Sequence, residues 1–335
     1  MCKLGDERSL RALLAQKPHI ARWKDAGGRA LLNHAIEGGQ EGCSLALIPG
    51  SCASATIGRG WTPLMLAASR GLHACVAALI PSSDADALDC SGMTALMIAA
   101  KMGQAGPLRL LLACSNPKIA DRRGASALII ALENGHVECA KILAEVSDTS
   151  MVGLNGLSAL SVAARMESPK ALALILPHCD PLEPSRDGWT PLMWAAILGH
   201  RLHLDLLLPA SNASAKNRSG DGAMTIAASR GHAQIVRALI PLCDPDMANE
   251  QGLTALMEAA RSGHRECVEE LLPVSNSKLR SKIFGGLTAA EMARDEGLGA
   301  IAALIDGFDR AMDERREFED NVGQAIARAP AAWRL

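Results

Sequence analysis

Tyrosine is absent from the chain, and with three phenylalanines and five tryptophans the aromatic share is only 2% of 335 residues. A β-sandwich or barrel of this length draws heavily on aromatic and β-branched side chains, so the shortage argues against one. No apolar run reaches the roughly 18 residues that a membrane-spanning helix needs. The opening stretch MCKLGDERSLRALL has no long apolar segment followed by a small-residue cleavage site, so no secretory signal is read there. Charge of one sign is also missing. The formal net charge is −2, which gives no global reason to expect nucleic acid or an anionic membrane as partner. There is no CxxC and no zinc-like Cys/His spacing among the ten cysteines. Phosphate-cradling GxGxxG and GxxxxGK[ST] patterns, HExxH and GxSxG are absent too, so neither a cofactor nor a metal nor a catalytic centre is expected.

What remains is an apolar mass of Ala, Leu, Ile, Val and Met, which favours helices packed through small side chains. That mass is periodic. Gly28, Gly60, Gly92, Gly124, Gly156, Gly188, Gly220 and Gly252 follow one another at 32 residues, and Gly286 comes after 34. Each opens an apolar burst, among them GWTPLMLAA, GMTALMIAA, GWTPLMWAA and GLTALMEAA. Thr62, Thr94, Thr190, Thr254 and Thr288, with Ser126 and Ser158, stand where a helix N-cap belongs. Pro63 and Pro191 follow at the first helical position. A two-turn helix then ends at Gly71, Gly103, Gly135, Gly199, Gly231, Gly263 or Gly297. A second helix follows, as in HACVAALI, with apolar residues at i, i+3, i+4. Pro49, Pro81, Pro177, Pro209, Pro241 and Pro273 mark its end, and a Ser/Cys-Asp/Asn step such as Ser83-Asp84 suits a turn. Two short helices and a loop cannot bury their apolar face alone, so the units must stack. Cys43, Cys75, Cys139 and Cys267 recur at one position of this period, which reads as small buried thiols rather than redox or metal chemistry. His136, His200, His232 and His264 all follow a glycine at the inter-helix turn, and that recurrence reads as a capping or turn role.

TPLMLAASRG and TALMEAARSGH resemble the ankyrin signature TPLHxAAxxGH, and the Asp-x-x-Gly that precedes it stands at Asp89–Gly92 and Asp121–Gly124. The chain is thus identified as similar to ankyrin-repeat proteins, with a 32-residue unit that resembles bacterial members. Two departures stand out. Met65, Met97, Met193 and Met257 replace the usual histidine, which is expected to exchange a polar tie for apolar packing. The unit is also one residue shorter than is usual in the family. The fold expected is all-α: an ankyrin-repeat solenoid of about nine helix-turn-helix units with short hairpin loops over residues 28–305, capped by residues 1–27 and by 306–335. Residues 325–335 are expected to be a frayed tail.

The resemblance implies a non-enzymatic scaffold that binds another protein, with loop tips and inner-helix residues lining a concave groove. Carried over position by position, the tips supply Arg59, Arg122, Arg123, Arg186 and Arg218, and the inner helices supply Arg70, Lys101, Arg165, Arg230 and Arg261. Against these ten basic residues stand four acids, Asp187, Asp221, Glu250 and Glu133, a balance of +6 in a chain whose total is −2. Acid gathers instead in Asp306–Asp320. Two readings of the balance stay open: ordinary solvated arginines, or a groove tuned to an acidic protein segment. Trp61 and Trp189 fall at tip positions, either covering the neighbouring unit or serving as aromatic anchors. Met93 shares that position. Trp194, in the column of Leu66, Ile98 and Ile130, is read as core. Phe284 tips a longer hairpin, KLRSKIFGG, which is either a second contact or a plain insertion. We expect a cytoplasmic monomer with no small-molecule substrate and no membrane contact. Nucleic acid is disfavoured for want of interleaved aromatics. An effector role in another cell stays open, and it would also act by binding.

Overall fold

The computed structural model describes residues 6–26, 28–52, 55–147, 149, 151–153 and 156–328. Among these, helices alternate with turns, and the only β-type pairing is isolated bridges such as Ile57 with Trp61 and Ala120 with Ser126. The chain forms two compact units, residues 1–186 and 187–335. The first holds α1 Glu7–Gln16, α2 Leu31–Glu37, α3 Glu41–Leu47, α4 Pro63–Arg70, α5 His73–Leu79, α6 Ala95–Lys101, α7 Ala105–Leu112, α8 Ala127–Glu133, α9 Val137–Ala144, α10 Ala159–Ala164 and α11 Pro169–Ile175. The second holds α12 Pro191–Leu198, α13 Arg201–Leu207, α14 Ala223–Ser229, α15 Ala233–Leu239, α16 Ala255–Arg261, α17 Arg265–Leu271, α18 Ala289–Asp295 and α19 Gly299–Arg328.

In the first unit α2, α4, α6, α8 and α10 pack in sequence as an inner layer, and α1, α3, α5, α7, α9 and α11 pack likewise as an outer layer. In the second, α12, α14, α16 and α18 form the inner layer, with α13, α15, α17 and α19 outside. The core lies between the two layers of each unit. Leu64, Leu96, Leu128 and Leu160, one per inner helix, are fully buried, as are Val76, Leu108, Leu143 and Leu172 from the outer helices. Burying each such side chain contributes about 1.5–3 kcal/mol, so aliphatic layers suffice without aromatics.

The caps work as the sequence predicts. Thr62 Oγ1 accepts from the Met65 amide at 3.2 Å, Thr94 Oγ1 from Met97 at 3.2 Å and Thr254 Oγ1 from Met257 at 3.4 Å. Each such cap is worth about 1 kcal/mol. Met65 and Met193 hold a surprise. Their sulfurs accept the backbone N–H of Thr62 at 3.4 Å and of Thr190 at 3.5 Å. The expected loss of a polar tie is therefore partial, because a weak sulfur acceptor closes the box that Glu291 closes on Thr288 at 2.8 Å.

The marker glycines have positive φ, and two of them show why no other residue serves. A Cβ at Gly220 would lie 2.7 Å from the Glu250 amide, and one at Gly252 would lie 2.5 Å from the Lys282 amide. Successive tips approach that closely because they are hydrogen bonded: Cys90 N to Arg59 O at 2.9 Å and Arg122 N to Ser91 O at 3.1 Å in the first unit, and Glu250 N to Ser219 O at 3.1 Å in the second. Helix α1 belongs to the outer layer, and the 3-10 turn Pro18–Arg22 meets that of Ile48–Gly50, so the N-terminal segment is half a unit. At the other end α19 starts as an outer helix, buries Ile301, Ala302 and Ile305, and then runs on with exposed side chains from Arg310 to Val322. It includes the first residues of the stretch expected to fray; residues 329–335 lie outside the described residues.

Candidate functional site

Several tips are Asx-type turns, while Ile57, Gly153 and Ser185 stand at the same place in others. Asp89 Oδ1 accepts from the amides of Ser91 at 2.7 Å and Met93 at 2.8 Å, and Asp121 does the same for Arg123 and Ala125. Asn217 and Asn249 take this role in the second unit. Asp89 and Asp121 are buried by these bonds, so they spend their charge inside the turn and leave the tip to the arginines.

In the first unit Arg59, Trp61, Arg70, Met93 and Lys101 come together. They line a cleft of about 540 Å³ floored by Leu66 and walled by Ile57 and Met102. Trp61 is half-buried, and its indole N–H donates to Asp89 Oδ2 at 3.1 Å. One edge is thus tied to the next tip while the ring lines the cleft. A neighbouring cleft of about 590 Å³ shares Ser91, Met93 and Lys101 and adds Arg122 and Arg123.

The ten basic residues divide on closer view. Arg123 pairs with Asp121 at 3.2 Å and Glu133 at 3.4 Å, Arg218 with Asp187 at 3.5 Å, and Arg261 with Glu258 at 2.8 Å. Glu258 was missed at the sequence level because it stands in an apolar burst; it is only 7% exposed and neutralises its neighbour. Arg165 also has a partner. Arg59, Arg70, Lys101, Arg122, Arg186 and Arg230 form no ion pair among the described residues, and all six are exposed. The last turn of an inner helix favours a cation through its dipole, which gives Arg70, Lys101 and Arg230 a structural reason to be basic. Arg59 and Arg122 sit in loops and have no such reason.

In the second unit Trp194 departs from the core reading. Leu66, Ile98 and Ile130 are 5%, 1% and 1% exposed. Trp194 is half-buried, with its ring centroid 4.7 Å from that of Trp189 and the planes tilted by 31°. An indole is too large for a slot cut for leucine, so it rises to the tip and makes an aromatic pair there. Phe284 is exposed at a φ of 55°, the left-handed region that disfavours a bulky side chain. The Arg261 guanidinium lies 6.0 Å from its ring centre.

His136, His232 and His264 have structural roles but do not cap their own helices. His136 Nε2 reaches the carbonyl of Lys101 at 2.9 Å, His232 that of Ile197 at 3.1 Å, and His264 that of Ser229 at 3.1 Å. Each thus satisfies a carbonyl near the end of the preceding inner helix. Cys43, Cys75, Cys139 and Cys267 are buried, and burial pushes the thiols of Cys75, Cys139 and Cys267 up to about 11. No group of His, Cys, Asp or Glu among the described residues is arranged to hold a metal ion, and no described helix is long and apolar enough to cross a membrane.

A family model described as ankyrin repeats (3 copies) matches overlapping segments that together span residues 44–282. The chain belongs to the ankyrin-repeat family, whose repeats are protein–protein interaction modules. Solved structures agree. The ankyrin repeat domain of Bcl-3, described as a unique member of the IkappaB protein family, is 28% identical with a TM-score of 0.58; the match covers 64% of this chain and 99% of that one. The human ASB11 ankyrin repeat domain is 24% identical with a TM-score of 0.56 over 64% of this chain and 98% of its own, a likeness of fold. No curated protein matches.

Proposed function

We propose that this chain is a non-enzymatic scaffold that binds an acidic segment of another protein through its tips and inner helices. The observation that carries the reading is the set of exposed, unpaired cations, Arg59, Arg70, Lys101 and Arg122, around an apolar floor in the first unit. Exposed arginines that are merely solvated commonly sit beside a carboxylate of their own surface, as Arg109 does with Glu138 at 2.9 Å and Arg265 with Glu269 at 2.7 Å. Arg59, Arg70, Lys101 and Arg122 do not, in contrast to Arg123, Arg218 and Arg261 at equivalent positions. Arginine forks onto carboxylates and stacks on apolar planes, so the face suits a partner with acidic and apolar side chains together. Trp61 and the Trp189–Trp194 pair supply the aromatic anchors that dominate such interfaces. Nucleic acid fits less well, because successive bases need a run of stacking surfaces and Trp61 is the one ring in the first-unit cleft.

The test is affinity capture with the wild-type chain and an R59A/W61A/R70A variant. A partner held by the wild type, lost by the variant and released between about 0.05 and 0.5 M salt supports the reading. A partner retained equally by both, or indifferent to salt, moves binding off this face.

A further inference from the structure

The two clefts of the first unit lie in register with the repeats, and this sets a spacing on what they hold. We infer that they bind an extended peptide whose carboxylate side chains recur about every third residue, with a bulky apolar side chain between. This rests on the protein-binding reading and narrows its partner.

The argument is geometric. Cations recur along the stack: Arg70 and Lys101 at the ends of α4 and α6 stand one repeat apart, and Arg59 and Arg122 stand at tips two repeats apart. Packed neighbouring helices such as these lie about 8–10 Å apart. An extended polyproline-II chain advances about 3.1 Å per residue and turns once in about three, so every third side chain returns to the same face about one repeat further on. Met93 and Lys101 form the shared wall between the clefts. A carboxylate in each cleft therefore has an apolar ridge between the two sites, with Trp61 and Leu66 on one side and Met93 on the crest. The acids already present do not compete. Asp89 is taken by two amides and the Trp61 indole, and Glu37 by Arg29 at 3.3 Å. Arg123 is occupied by Asp121 and Glu133, which leaves Arg122 and the shared Lys101 as the cations available in the second cleft. The positive field draws in an acidic strand and disfavours a basic one.

The experiment selects a library of random twelve-residue peptides on the full chain. It then remeasures the best binder by fluorescence anisotropy, with its acids moved to spacings of two, three and four. Enrichment of Asp and Glu three apart, flanking Leu, Ile, Met or Phe, is expected. R59E/R70E/K101E should weaken the binder by about tenfold or more, since each exposed pair accounts for a factor of about two to five. The milder R59Q/K101Q serves if the triple variant does not keep its helical circular dichroism, and R265Q on the outer helix α17 of the second unit should leave the affinity unchanged. A selected pool without acid enrichment, affinities indifferent to acid spacing, or a binder untouched by the first-unit variants overturns the inference. Peptides of other chemistry that still occupy the inner helices would do so too while leaving the protein-binding reading intact. Failure of that broader reading shows separately, in the capture experiment.

Discussion

Asn33 offers a direct test of how the stack is held together. It lies five residues after Gly28, the place that Met65, Met97, Met193 and Met257 fill in later repeats. Its side chain is 0% exposed, yet neither Nδ2 nor Oδ1 has a hydrogen-bond partner. A stranded buried amide costs about 1–3 kcal/mol. Leucine keeps the branched outline and number of heavy atoms while removing both polar atoms, so N33L should stabilise the first unit by about 1–2 kcal/mol after a small packing penalty. For a cooperative unit of this size, 1 kcal/mol moves the thermal midpoint by about 2–4 °C. A rise of about 2–8 °C in the first transition is therefore expected, with slower amide exchange confined to α2, α3 and their neighbours. The locality matters, because repeats feel mainly the layer beside them. A fall in midpoint would refute the reasoning: the amide would then have to be satisfied in solution, for example by a buried water.

Three further outcomes follow from the packing. Ser83, Ser115, Ser211 and Ser275 share one repeat position with Cys179 and Cys243, and each serine hydroxyl is buried without a partner. Their single alanine variants should be neutral or stabilising by up to about 1 kcal/mol in urea titration, and a loss beyond that would show the hydroxyl bonded. At pH 8 a maleimide-free thiol reagent such as a disulfide dye should label exposed Cys90 quickly. It should label Cys75, Cys139 and Cys267 only on unfolding, since burial raises those thiols to about 11 and the attacking thiolate appears only as pH approaches that value. Fast labelling of all of them in the native state would contradict the burial. G220A should cost about 1–3 kcal/mol, from a φ of 80° plus contact with Glu250; G135A, with a similar φ and open space, should cost only about 1 kcal/mol. Equal losses would remove close approach as a cause.

The repeat was legible because its punctuation is local. A cap hydroxyl, an N1 proline and a left-handed glycine act within four residues of one another, so their order in the sequence is their order in space. What escaped notice depends on a neighbour one repeat away. That His136 ties to Lys101, 35 residues earlier, follows from stacking register rather than from any motif. Glu258 hid in an apolar burst because its partner Arg261 lies one helical turn on. Trp194 looked like core because its column is core elsewhere; only the size of the indole against the slot decides otherwise. The candidate contact residues fall on tips and inner helices, but which of the cations are already neutralised needed the ion pairs themselves.

The shortage of aromatics has a consequence for observing the molecule. Without tyrosine, near-ultraviolet absorption and emission come almost wholly from tryptophan. Trp61 sits in the first unit's cleft, where an arriving ligand would shift its emission. Trp189 and Trp194, with rings 4.7 Å apart at a skewed angle, are close enough for their excited states to mix. Such a pair gives a split, two-signed band in circular dichroism that neither indole gives alone. The protein thus carries two built-in optical reporters, an environment-sensitive emitter on one unit and a chiral dimer on the other.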